Sequence, residues 1–474
     1  MKADHRAREA PATGRWDFLT HCVYDVVGLL AVLVMLPLLL YRMVMDPRAR
    51  VGLAQRFGFT PRRTGDAPCL WIHGVSVGEI LGAERFIRDF SRRYPEWEIA
   101  LSTTTGTGHE VAKERYPGRL VFFYPLDLSF AVRRVLRRIR PSAVLLVELE
   151  IWPNFLLAAS RHRIPVGLIN GRISERSFRG YRFWKRFLPN PLDCVDAYCV
   201  QNDLYADRLR RLGVPPDRIH VTGTMKFDTV ALQGDPAQEE ILRRELGLQG
   251  QGKELVLIGG STHPPEERIL YDCYRALVVR HPGLRLLLAP RHPQRLTEIE
   301  EDLSSAGATV VRRTQIDPRR PAPVGPVPPV ILIDTMGELG RLYGLADVVF
   351  VGGSLIPHGG QNMMEPAGLG KPVLLGPHTF NFADSVELLL EEDALRVVQS
   401  ADELTSALED LLLDGEGRAA MGFRARAVIE KNKGASRRNL DVVGAHMIER
   451  QLGSRGSCTE ARIVEIPSRS VADG

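Results

Sequence analysis

The 474-residue chain lacks most of the features that would settle its class on their own. Its six cysteines, at 22, 69, 194, 199, 273 and 458, show neither metal-ligand spacing nor the density of a secreted disulfide scaffold, so reduced thiols in a cytoplasmic setting are expected. A net charge of +5 is too small to choose among membrane, nucleic acid and phosphorylated substrate as the anionic partner. No repeat at a solenoid period is visible, and no Lys-Ser/Thr follows a glycine loop as a Walker motif requires. What remains is a composition of 44% apolar and 25% charged residues, that of a folded protein whose length favours two domains.

An apolar run of full membrane-spanning length is also missing, but narrowly. Residues 26–41 (VVGLLAVLVMLPLLLY) carry no charge, and extension back to 23 admits only Asp25, which falls just short of the roughly 20 residues of a full span. A polar leader precedes the run and no small-residue cleavage site follows, so a retained anchor is expected rather than a signal peptide. Arg42, Arg48, Arg50, Arg56, Arg62 and Arg63 come after it, whereas the bases before it are offset by Asp4, Glu9, Asp17 and Asp25. The positive-inside rule then puts the bulk of the chain in the cytoplasm. A buried core helix is the competing reading, disfavoured by Pro37 and by the uniform apolarity.

From Pro68 onward, short apolar strands alternate with longer amphipathic stretches: 70–73, 98–102, 120–124, 143–148, 166–170 and 197–201, then 254–259, 284–289, 309–312, 330–334, 348–351 and 373–376. Such alternation predicts α/β architecture with mostly parallel sheets, here two similar domains in tandem. The boundaries read as a leader at 1–22, an anchor at 23–41, a first domain at 42–225, a linker at 226–240, a second domain at 241–434, and a C-terminal helix with an aperiodic polar tail at 435–474. Residues 317–329 (DPRRPAPVGPVPP) are too proline-rich for anything but a surface loop. Open α/β sheets bind ligands beyond the carboxyl ends of their strands, so facing domains would share one crevice.

The informative residues sit at such strand ends. Trp71 to Ile80 (WIHGVSVGEI) reads as a strand, a small-residue turn and the start of a helix over 80–92, which places Glu79 in a helix's first turn. Complementing the helix dipole and acting in chemistry are both open to it. Alternation after the strand at 143–147 predicts Glu148 and Glu150 on one side, opposite Leu149, where two carboxylates are costly unless paired or used. Thr103 to Gly108 (TTTGTG) closes another strand with hydroxyls and glycines. Asn170 to Ser177 leads into Arg179 to Phe187, which interleaves bases with aromatics, as suits a membrane interface or phosphorylated lipid; a solvated basic helix and single-stranded nucleic acid fit the composition too, but the anchor favours lipid.

In the second domain, Gly352 to Glu365 (GGSLIPHGGQNMME) leads from a strand into a helix whose first amides could grip a phosphate, with Glu365 able to accept from ribose hydroxyls. Pro290-Arg291-His292-Pro293 offers a rigidly placed guanidinium for bidentate phosphate pairing. Thr335-Met336-Gly337-Glu338 could read a nucleobase edge through its amides, although Asp334 and Thr335 followed by Glu338 is also a capping pattern. Gly260-Ser261-Thr262-His263 adds hydroxyl donors or is an ordinary turn.

Taken together, Ser76-Val77-Gly78-Glu79, Glu148-Leu149-Glu150-Ile151-Trp152-Pro153-Asn154, Lys226-Phe227-Asp228, Pro290-Arg291-His292-Pro293, Asp334 to Glu338 and Gly376-Pro377-His378-Thr379-Phe380-Asn381-Phe382 closely resemble the 3-deoxy-D-manno-octulosonic acid (Kdo) transferases, from the anchor to about Gly434. The resemblance implies a GT-B fold of two facing Rossmann-like domains, a CMP-Kdo donor, and inverting transfer to a lipid A precursor on the cytoplasmic face of the bacterial inner membrane. It implies Glu79 as general base, Glu148 and Lys226 as transition-state stabilisers, and CMP contacts at Pro290 and Arg291, at Met336, Gly337 and Glu338, and at Asn362, Met363, Met364 and Glu365. No Asp-x-Asp motif is present, so metal-independent catalysis without a cofactor is expected, with no nucleic-acid partner. Gln361 and the long leader depart from the family pattern. A UDP-sugar enzyme, either a lipid-directed hexosaminyltransferase or a hydrolysing epimerase, and a catalytically dead membrane-attached binder are the alternatives. The anchor disfavours the epimerase, and intact Glu79, Glu148, Arg291 and Glu365 disfavour the binder.

Overall fold

A computed structural model of the chain describes residues 50–185, 190–248, 254–316 and 327–449, with scattered positions between 24 and 45. The chain divides into two compact units, Met1–Thr229 with Gly434–Gly474, and Val230–Lys433. The stretch read as a linker, 226–240, is divided between them: Met225–Thr229 is a 3-10 turn of the first unit and Pro236–Glu245 a helix of the second. Most of the expected anchor at 23–41 and the tail from 450 lie outside the described residues. Among the described residues no helix is long and apolar enough to cross a membrane.

The first unit is built on seven parallel strands: β1 Cys69–His73, β2 Glu98–Thr103, β3 Leu120–Phe123, β4 Ala143–Val147, β5 Val166–Gly171, β6 Ala197–Val200 and β7 Ile219–Val221. Their order is β3-β2-β1-β4-β5-β6-β7, so the direction of winding reverses between β1 and β4. The strands are continuous apolar runs because both faces are covered. Trp71, Val144 and Leu146 point into one cluster, with Phe155 and Leu209 from covering helices, while Leu70, Ile72 and Leu145 point into the other. The helix Ala435–Val443 completes that second face through Leu440 and Val443, followed by Met447 and Ile448. Gly167 on β5 is bare for this reason: a Cβ there would lie 2.6 Å from Met447 Sδ. Asp228 fixes the return of the chain, accepting from the amides of Gly434 and Ser436 at 2.5 Å each.

Two expectations are corrected here. The helix expected over 80–92 is two, Val77–Gly82 and Glu84–Arg93, separated at Ala83. Strand alternation does not carry Glu148 and Glu150, because β4 stops at Val147 and Glu148 turns to φ 61°, a left-handed conformation that a side chain rarely adopts.

The second unit has its own seven-stranded parallel sheet: β8 Leu255–Thr262, β9 Leu284–Pro290, β10 Val310–Arg312, β11 Val330–Leu332, β12 Val348–Val351, β13 Val373–Leu375 and β14 Arg396–Val397. The order β10-β11-β9-β8-β12-β13-β14 puts the winding reversal between β8 and β12. Leu257, Leu286, Leu288 and Phe350 pack one face against Tyr274 and Leu277 of the helix Glu266–Val278 and Leu408 of the helix Ala401–Leu413. Strands β7 and β14 were not apparent in the sequence, being three and two residues long.

Candidate functional site

In the first unit the switch point between β1 and β4 is where doubly wound sheets open a crevice. Beyond β1, Gly74 donates to the Ser102 carbonyl at 3.1 Å, and Ser76 caps the helix Val77–Gly82. Glu79, third in that helix, reaches back: its carboxylate accepts from the Val75 amide at 2.7 Å and the Ser76 hydroxyl at 2.9 Å, while its own amide points at Ser76 Oγ at 3.4 Å. Ser76 Oγ and the Glu79 carboxylate thus tie off the start of the helix between them, so the helix-end role foreseen for Glu79 is realised. It does not exhaust the group. Two of about four lone-pair sites on the carboxylate are taken, and the side chain is held in one place. Gly74 leaves little room, since a Cβ there would lie 3.3 Å from Glu79 Cβ. The Thr103–Gly108 loop buttresses the turn, with the Thr104 and Thr105 amides at 3.3 Å and Thr105 Oγ1 at 3.2 Å from the Val75 carbonyl.

From the other side of the switch point, Glu148 and Glu150 join Glu79. Burial raises the Glu79 carboxyl above its ordinary range and the charge of Glu148 raises it further, against the Val75 and Ser76 donors that favour the anion. At Glu150, burial first, then the charges of Glu79 and Glu148, push the carboxyl up to about 7, despite a 2.9 Å bond from Trp152 Nε1. Neighbouring carboxyls whose affinities for protons are driven apart are the usual equipment of acid–base chemistry. The left-handed backbone at Glu148 is the strained residue of the group. Lys226 lies on the turn Met225–Thr229, which packs against the Glu79 helix and is tied to the end of β5 by the Met225 amide donating to Asn170 Oδ1 at 3.0 Å. The structure thus brings Glu79, Glu148 and the Lys226 turn to one end of the first sheet. Beneath them His73 is fully buried, stacked on Tyr124 at 3.9 Å and held down to about 3 by burial, hence a neutral ring. A hollow of about 630 Å³ lined by Arg62, Arg63, Trp97, Glu98 and Arg119 lies at the opposite, amino ends of β1–β3, where Glu98 already pairs with Arg63 at 2.7 Å.

In the second unit the anticipated segments lie along the carboxyl edge. Pro290 ends β9, and the Arg291 amide donates to the Thr262 carbonyl at 3.0 Å; its exposed guanidinium has no ion-pair partner among the described residues. Met336 is 76% exposed, beside Gly337 at φ 83°. Glu338 accepts from Thr335 Oγ1, while Asp334 is engaged with Thr314 through a 3.0 Å amide bond, so the Asp-Thr capping expected of this loop is not what forms. Asn362 caps the helix Met364–Gly368, accepting from the Met364 amide at 3.1 Å and donating to Glu365 at 2.9 Å, with Met363 and Met364 buried. A Cβ on Gly340 would lie 3.6 Å from Glu365 Oε2, so the 335–340 and 361–365 segments are neighbours. Glu365 is exposed, yet partial desolvation raises its carboxyl and the Asn362 amide opposes the rise.

The amides of Gly353, Ser354 and Leu355, with that of His263, all donate to the buried Glu266 carboxylate at 2.7 to 3.0 Å, so this loop is held from within. Of the helix-start amides expected to grip a phosphate, that of Met364 is taken by Asn362. Glu266 was missed because in sequence it is one more acid at a helix start. Also missed were His263, His292 and His358 as a group. They come from three loops far apart in the chain, and only the switch point brings their rings together.

Residues 51–229 match the family described as 3-deoxy-D-manno-octulosonic-acid transferase (kdotransferase). A 3-deoxy-D-manno-octulosonic acid transferase of Haemophilus influenzae is 34% identical over 414 residues, 85% of this chain and 93% of that protein. One of Bordetella pertussis is 34% identical over 416 residues, 84% and 94% of the two chains. Among solved structures, the UDP-GlcNAc 2-epimerase of Neisseria meningitidis bound to UDP-GlcNAc aligns with a TM-score of 0.52 at 16% identity, covering 79% of this chain and 99% of that one. At that identity the likeness is one of fold alone, two parallel-sheet α/β domains of the GT-B type.

Proposed function

The chain belongs to the 3-deoxy-D-manno-octulosonic acid (Kdo) transferase family, and from that premise we propose that it transfers Kdo from CMP-Kdo to a hydroxyl of a lipid A precursor, lipid IVA, with inversion and release of CMP. It is a glycosyltransferase of lipopolysaccharide core assembly. The observation that carries the finer reading is the carboxylate group at the switch point of the first unit, where Glu79 is fixed by its cap and raised by burial and by Glu148. Glu79 takes the proton of the acceptor hydroxyl, whose oxygen forms the bond to the anomeric carbon. The bond from that carbon to the phosphate oxygen breaks, and its electron pair leaves on CMP. A base raised above the ordinary glutamate range holds the proton better, and the Val75 and Ser76 donors keep enough of it ionised to act. Positive character at the anomeric centre is stabilised by Glu148, and the charge on the departing phosphate by cations, of which Lys226 and Arg291 are the candidates. CMP is assigned to Pro290 and Arg291, to Met336, Gly337 and Glu338, and to Asn362, Met363, Met364 and Glu365. The reaction is read as metal-independent because these side chains supply the charge it needs.

The same proposal sets the enzyme at the inner membrane with both units on the cytoplasmic side. Three features support it: the apolar run at 23–41 with its following arginines, the exposed Phe183 and Trp184 on the helix that carries Arg179 and Arg182, and the partners of Asp25. That lone acid of the run accepts from the Ser129 amide at 2.8 Å and from Asn154 Nδ2 at 3.1 Å, so it does not face lipid unsatisfied. The test is incubation of the full chain with CMP-Kdo and a tetraacylated lipid A precursor in detergent, followed by mass spectrometry of the lipid. Addition of one or more Kdo units is expected; unmodified lipid with intact enzyme would overturn the reading.

A further inference from the structure

We propose that His263, His292 and His358, with Arg291, form the cradle for an oxyanion of the sugar-nucleotide donor, and that His263 takes up a proton when that anion binds. The proposal rests on the function proposed above and adds to it a group of residues and a linked proton. His263 follows β8, His292 follows β9 and His358 lies in the loop after β12, so the three meet at the winding reversal of the second sheet. The His263 ring stacks on His358 at 4.5 Å and 26° and meets the edge of His292 at 5.3 Å and 80°. The rings are stacked and abutted rather than converging on one point, and among the described residues no such group is placed to hold a metal ion.

The charges around His263 are unbalanced. Arg291 and Arg295 approach it from the β9 side and His358 from the β12 loop. Arg295 is neutralised by Glu267 at 3.1 Å and Glu298 at 3.0 Å, whereas Arg291 has no such partner among the described residues. The nearest carboxylate, Glu266, is turned to the four backbone amides of the loop. Without an anion, burial and then the neighbouring His358, His292 and the arginines hold His263 down to about 4, so the ring is neutral. An anion among these groups reverses the sign of the local field and favours the imidazolium. Gln361, whose amide lies 3.2 Å from His263 Nε2, can serve both states, donating through its nitrogen to the neutral ring or, rotated, accepting through its oxygen from the charged one. A sugar-nucleotide donor of the proposed class carries two oxyanions, a phosphate and a sugar carboxylate, and either could fill the cradle.

The test is calorimetric titration of the full-length chain at about pH 6.5, where a histidine can change charge, in two buffers of different ionisation enthalpy, with cytidine, CMP and CMP-Kdo as ligands. Proton uptake with CMP but not cytidine is expected if the phosphate occupies the cradle; uptake with CMP-Kdo alone assigns the carboxylate. His263→Gln is expected to abolish the uptake. His358→Gln, on an exposed ring and so neutral for folding, is expected to weaken the same ligand about tenfold, as loss of a charge-assisted contact should, with an unchanged melting temperature. No proton uptake with any ligand, together with wild-type affinity in the His358→Gln protein, would overturn the proposal. Because product formation is read separately by mass spectrometry, that result would leave the transferase reading standing.

Discussion

In the proposed reaction Glu79 does two jobs with one carboxylate, and the consequences are measurable. As a base it must be ionised, and burial with the Glu148 charge raises it, so the acid limb of the transfer rate should lie above that of an ordinary glutamate. Glu148→Gln removes one of the raising charges and is expected to move that limb to lower pH while reducing the maximal rate. Glu150→Gln should leave the limb in place, because what raises Glu79 is burial and the charge of Glu148, not that of Glu150. Glu150 also predicts a stability effect. Its folded value of about 7 exceeds the ordinary 4.5, so its contribution is fully present below about 4.5 and is lost as pH rises through about 7. Wild type should therefore lose stability relative to Glu150→Gln across that window, as read by urea unfolding at a series of pH values. The helix-end role of Glu79 was legible in its place in the helix's first turn, and the catalytic role proposed for it came through the family resemblance. Alternation set Glu148 beside Glu150 on one side of the strand's continuation, a reason that does not hold, since the position of Glu148 depends on a left-handed turn that strand periodicity cannot reveal. The histidine group was invisible because its members are separated by whole strand–helix units.

At the scale of elements, the second unit's site loop depends on one buried acid and one bare glycine. Glu266→Ala would leave three buried amides and one partly buried one without their acceptor, at about 1–3 kcal/mol for each buried group left unmatched. A loss of about 3 kcal/mol or more is expected, confined to the second unit. Among the described residues the tryptophans, at 71, 97, 152 and 184, all lie in the first unit. Far-UV dichroism should therefore show an earlier transition while tryptophan fluorescence does not. Gly352→Ala should act similarly, since its Cβ would come within 2.5 Å of the Ser261 carbonyl oxygen and Thr262 Cα, both backbone atoms between β8 and β12. The strands themselves were readable because parallel strands buried on two faces are unbroken apolar runs. Strands β7 and β14 escaped because a few residues, with His220 or Arg396 among them, carry no such run.

At the scale of the whole molecule, the first unit is completed by the far end of the chain. A helix after residue 434 was expected, but which sheet it covers cannot be read from its amphipathic pattern alone, and the answer is the first. Truncation after Lys433 would remove Leu440, Val443, Met447 and Ile448 from that core, on the order of 6 kcal/mol or more at about 1.5–3 kcal/mol per side chain. That approaches the whole stability of an ordinary domain. The truncated chain should lose its cooperative tryptophan-fluorescence transition while the second unit, continuous from Val230 to Lys433, keeps its own by dichroism. The most direct measurement for the chain as an enzyme compares wild type with Glu79→Gln, which keeps a carbonyl oxygen for the Val75 amide while removing the basicity and the acceptor of the Ser76 hydroxyl. With CMP-Kdo and a tetraacylated lipid A precursor, mass spectrometry is expected to show Kdo-bearing lipid from wild type and none from the variant, although both bind CMP equally. Kdo-lipid from Glu79→Gln at the wild-type rate, or none from wild type, would contradict the account.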